Sequence, residues 1–114
     1  MRKHKIKIPI YFGELILVQD KNFTKISKKL NISENLNNYE SFVTTRETNK
    51  GQIQYYAVFR KGKIENSIIV HECVHLTNQI FNYTCTQLDI NNDEPQAYLT
   101  GWLFSQCENF LKNN

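Results

Sequence analysis

The sequence predicts an α+β domain, a small antiparallel sheet packed on two C-terminal helices. Three observations carry this expectation. The 114 residues, 40% of them hydrophobic, are enough for a single domain with one core. Runs rich in β-branched and aromatic residues fall in the first half of the chain, and the long helical periods fall after them. Strands followed by helices, rather than alternating with them, indicate segregated layers.

Taken in order, "KIKIPI" (5–10) alternates with a period of two, placing Ile6, Ile8 and Ile10 on one face; Pro9 marks an edge or a strand end. Gly13 separates it from a second strand, "ELILVQ". "NFTKISKKLN" (22–31) reads as a short helix capped by Asn22, with Phe23, Ile26 and Leu30 on one side, followed by a loop, "NISENLNNYE". "SFVTTRE" and "QIQYYAVFRK", joined by "TNKG", form a hairpin, and Tyr55, Tyr56 and Phe59 in it are strand-packing residues. Asn66 or Ser67 caps a helix running to about Thr84. A last helix starts near "NNDEP", with Asn92 or Asp93 as cap and Pro95 in the first turn, and continues to about Lys112. There is no repeat, linker or low-complexity tract.

The net charge of +3 is mild, and much of it sits in "RKHKIK" (2–7). That run reads as a solvated basic end, and without a second basic cluster it argues against nucleic acid as a partner and leaves a nucleic-acid-binding module a distant third reading. The opening basic and apolar residues imitate a signal peptide, but Pro9 and Glu14 interrupt the run and no small-residue cleavage site follows. No apolar stretch is long enough for a membrane span. Three irregularly spaced cysteines, Cys73, Cys85 and Cys107, suit a reducing, cytoplasmic compartment rather than a disulfide framework. Cys85 and Cys107 read as buried apolar fillers.

The chemistry is concentrated in "HECVH" (71–75). Residues four apart on a helix lie about 40° apart around the axis, so His71 and His75 point the same way and Glu72 flanks them. On the helical wheel Ile69, Cys73, Leu76 and Ile80 form one apolar stripe, with Val70, Val74 and Phe81 in a second. Both histidines fall in the remaining polar strip, with Cys73 opposite them. Such a strip is either a solvated helix face or two-thirds of a metal site. Zinc in a hydrolytic site needs a third protein ligand. The short "CTQLDI" connection should return the last helix antiparallel, bringing its first turn within reach and making Glu94 the candidate, with Asp93 as the alternative. Gly101 would let the two helices approach closely.

HExxH on one helix, followed by a glutamate opening the next, resembles the gluzincin branch of zinc metallopeptidases. More narrowly, "HECVH" followed by "NDEPQAYLTGW" is similar to a group of small zincin-like proteins encoded by bacteriophages. The likeness covers the helical half of the chain. It implies a single zincin-like domain over 1–114 in which His71, His75 and Glu94 bind Zn2+ and Glu72 activates water. Well-studied gluzincins carry an aspartate four residues after the third ligand; Tyr98 stands there in this chain, either as a catalytic hydrogen-bond donor to the transition state or as an ordinary core-edge tyrosine. The implied function is hydrolysis of peptide or amide bonds in a peptide or protein substrate. The alternative is a regulatory protein that binds a host protein and keeps a structural or vestigial zinc. In both readings the chain acts in the cytoplasm, that of the bacterial host if it is phage-encoded, without a membrane.

Overall fold

The computed structural model describes residues 1–113. Its elements are β1 (Arg2–Lys7), β2 (Glu14–Asp20), α1 (Thr24–Lys29), β3 (Ser41–Glu47), β4 (Ile53–Arg60), α2 (Asn66–Tyr83) and α3 (Glu94–Lys112). The expected α+β architecture is present, with both long helices C-terminal.

The four strands form one sheet in the order β1-β2-β4-β3. The two outer pairs, β1/β2 and β3/β4, are antiparallel, as expected. The central pair β2/β4 is parallel, so the sheet is mixed. A parallel pair needs a crossover, and here α1, the loop after it and β3 provide the chain between the two strands.

Two-sided burial explains the composition of the central strands. Leu15, Leu17, Tyr55, Ala57 and Phe59 enter the core under α2 and α3, while Ile16, Val18, Tyr56 and Val58 enter a second core with Phe23 and Ile26 of the α1 segment. A strand covered on both faces has no polar side to alternate with, hence the continuous "LILV" and "YYAVF" runs.

The outer strand β1 differs from expectation at both ends. The basic run is not a free tail but a strand paired with β2 from Arg2 onward. Arg2 also stacks its guanidinium 3.9 Å from the centre of the Phe110 ring on α3. Ile6 is half-buried and Ile8 buried, but Ile10 has left the strand and is 83% exposed. The chain turns over 8–13, with Ile10 at φ 68° and Phe12 at φ 63°, a rare conformation for such side chains. Gly13, at φ 80°, closes the turn where an added Cβ would meet the Tyr55 ring at 2.9 Å.

Asn22 is not the cap of α1: Phe23 holds the N-cap position without a side-chain cap bond, and the Asn22 Oδ1 instead accepts from the Thr24 N–H at 3.1 Å in a local turn. The long helices keep their expected bounds but not their caps: Asn66 and Ser67 lie inside the first turn of α2, and Asp93 occupies the N-cap position of α3 without a side-chain cap bond. Ile69, Cys73, Leu76 and Ile80 form the buried stripe of α2, and Leu99, Leu103, Cys107 and Phe110 that of α3. The helices join through a 2.8 Å hydrogen bond between the Thr77 and Thr100 hydroxyls.

Three packing expectations are corrected. Val70 and Val74 are each 43% exposed, since they border a solvent-facing groove between α2 and α3 rather than the core. Gly101 meets no neighbour within 4 Å of an added Cβ, so it does not set the helix separation. Cys85 is exposed just beyond α2, at φ 56°. Cys107 is buried, and the neighbouring Cys73 thiol together with burial pushes the Cys107 thiol well above its ordinary range. Among the described residues no helix is long and apolar enough to cross a membrane.

Candidate metal centre

Helical spacing alone places His71 and His75 side by side on α2, one turn apart. Their Nε2 atoms are 3.2 Å apart, and the rings stand at 80° with centroids 4.7 Å apart. Two nitrogens bound to one tetrahedral zinc at 2.0–2.1 Å would be separated by about 3.3 Å. The observed spacing therefore fits two ligands of a single ion.

Glu72, one residue on, is turned towards the sheet and buried. Its Oε2 accepts a hydrogen bond from the Ser41 hydroxyl at the start of β3. A buried carboxylate needs such a partner, because leaving it unsatisfied costs more than the bond itself contributes. Donor atoms of His71, Glu72 and His75 all lie within 4.8 Å of one another, a group able to hold a metal ion. Two imidazoles and a carboxylate suit zinc, and other transition metals accept the same set.

The group opens into a shallow groove of about 360 Å³ between α2 and the loop entering β3. Tyr39, Ser41 and Val43 form one wall, and His71, His75 and Gln79 the other. The Gln79 Oε1 atom is buried there without a hydrogen-bond partner.

The other two expected site residues lie elsewhere. Glu94 is exposed at the first position of α3 and is not part of the donor group; neither is Asp93, which borders the α2–α3 groove with Val70 and Val74. The reason lies in which flank of α2 receives α3. Thr77, which bonds to Thr100, sits roughly 120–160° around the helix from the histidines. Tyr98 is 75% exposed and lines a different, apolar groove with Pro9, Ile10 and Trp102. Ser41 and Gln79, which do line the metal groove, carry no motif. Only the position of Ser41 at the start of a strand ahead of the helix hinted that it could face α2.

Comparison of the chain with protein-family models, with curated proteins and with solved structures finds no match to any of them. The identification of a group able to hold a metal ion rests on its own geometry.

Proposed function

We propose that this protein is a metal-dependent hydrolase of peptide or amide bonds, in which His71 and His75 hold a zinc ion and water or substrate fills the position that a third protein ligand takes in most hydrolytic sites. The observation that carries the reading is a third functional group at the same point: a buried carboxylate, Glu72, tethered by Ser41 beside the histidine pair. Bound zinc supplies acidified water and a polarised carbonyl. Glu72 takes the proton from the attacking water and returns it to the leaving amine. Ser41 fixes the carboxylate so that this transfer needs no rearrangement. The substrate lies extended along β3, an outer strand of the sheet whose first residues, Ser41 to Val43, line the groove. A strand edge offers unpaired N–H and C=O groups that hold a peptide by its backbone.

A second reading is favoured by the positions of Glu94 and Tyr98, which leave three donors in all. If Glu72 is itself the third ligand, no base remains. The chain is then a binding or regulatory protein with a structural metal, contacting a host protein. Glu72→Gln separates the two. On the hydrolase reading the variant retains zinc and the fold but loses all cleavage of a peptide library that wild type cleaves. Loss of zinc from the variant, or a zinc-loaded wild type that cleaves nothing, supports the second reading.

A further inference from the structure

In sequence the basic run Arg2–Lys7 stands alone; in the fold it does not. Lys3 pairs with Val18 and Lys5 with Ile16, both in the core beneath α1, so Lys3, Lys5 and, by alternation, Lys7 project from the α1 side of the sheet. Arg46 of β3, opposite Gln54, projects from the same side. The helix α1 adds Lys25, Lys28 and Lys29. The Lys29 amine lies close to that of Lys3, and with burial and the like charges of Lys29 and Arg46 it holds Lys3 below the ordinary lysine range. The strand acids on this side are Glu14, buried, 3.8 Å from the Lys5 amine and bonded to Gln54, and, by alternation from Ile16 and Val18, Asp20 at the end of β2. Among the described residues Lys3, Lys7, Lys25, Lys28 and Lys29 have no acidic partner within 4.0 Å. Crowded cations without counter-charge are relieved by an anion.

The surroundings select which anion. Between the β1 lysines, His4 and Ile6 face the opposite side, His4 stacking towards Phe110, so the row offers charge without the apolar anchors a lipid surface takes. Phe23 and Tyr56 on this side are buried in the core and half-buried Phe42 is packed edge-on against Phe23, so no free ring is offered to an unpaired base. Alternate residues of a strand are about 6.7 Å apart, so the row from Lys3 to Lys7 spans roughly 13 Å, the rise of about four base pairs. We propose that the lysine face built by β1 and α1 binds the phosphate backbone of double-stranded nucleic acid without reading its sequence.

The test is fluorescence anisotropy of two labelled DNA duplexes of unrelated sequence, titrated with the full chain at about 50 and about 200 mM salt. Both duplexes should bind alike, with affinity falling on the order of a hundredfold between those salts, as about four released counterions require. Lys3→Gln with Lys29→Gln should weaken both equally and lower the salt slope by about two. Lys112→Gln, removing a lysine paired with Glu108 on α3, should leave binding unchanged. Absence of binding at the lower salt overturns the proposal. So does an equal loss in Lys112→Gln, which would mean diffuse attraction, or capture by phosphatidylserine vesicles with none by duplex.

Discussion

Ser41, the first residue of an outer strand, donates its hydroxyl hydrogen to the buried carboxylate of Glu72 on α2. The bond ties the wall of the groove to the helix that carries both histidines. Removing it strands a carboxylate away from water. Ser41→Ala should lose about 2 kcal/mol of stability in denaturant unfolding, the range for hydrogen bonds to charged groups. Bound metal should persist, because the histidine pair is untouched. A variant as stable as wild type would show that the bond contributes nothing.

Gln79 should behave in the opposite sense. Its buried Oε1 has no partner, so the folded state carries a desolvation cost of about 1–3 kcal/mol with no return. Gln79→Met keeps the shape and removes the acceptor. Its melting temperature should equal or exceed that of wild type, and a fall of several degrees would place a hydrogen-bond donor at this atom.

Alkaline pH tests the packing beneath the end of α2. Burial, reinforced by Tyr83, pushes the Tyr55 hydroxyl up to about 12. Its protonated form is therefore favoured by folding. That stability is complete below the ordinary tyrosine value of about 10 and is lost as pH rises from there through the folded value. Tyr55→Phe should flatten the decline in stability between those two pH values. An unchanged profile would assign the alkaline loss to other groups.

The positions of Glu94 and Asp93 make a further prediction. Both lie outside the donor group, so Glu94→Gln and Asp93→Asn should bind zinc as wild type does, measured by calorimetric titration. Loss of affinity in either variant would restore the first turn of α3 to the site.

Local geometry explains what the sequence disclosed. The histidine pair follows from helical spacing within five residues, and the α2 stripe of Ile69, Cys73, Leu76 and Ile80 follows from the same period. The β3–β4 hairpin is local too. Strand order is not: nothing within "ELILV" names β4 as its parallel neighbour, although the absence of alternation there marks burial on both faces. Nor does helical period decide which flank of α2 receives α3. Val70 and Val74 looked like a packed stripe, yet they border an open groove, and the contact runs through Thr77 and Thr100. For that reason Glu94 lies outside the donor group and Tyr98 lines another groove. Ser41 reaches Glu72 across 31 positions, a relationship only tertiary structure creates.

The central claim is that His71 and His75 share one metal ion, and zinc titration of metal-free protein measures it directly. Wild type should bind one equivalent, His71→Ala and His75→Ala should each lose it, and bound zinc should raise the melting temperature by mass action, reversed by a chelator. Folded wild-type protein that takes up no zinc or other transition metal, or that binds it equally well without either histidine, would contradict the account.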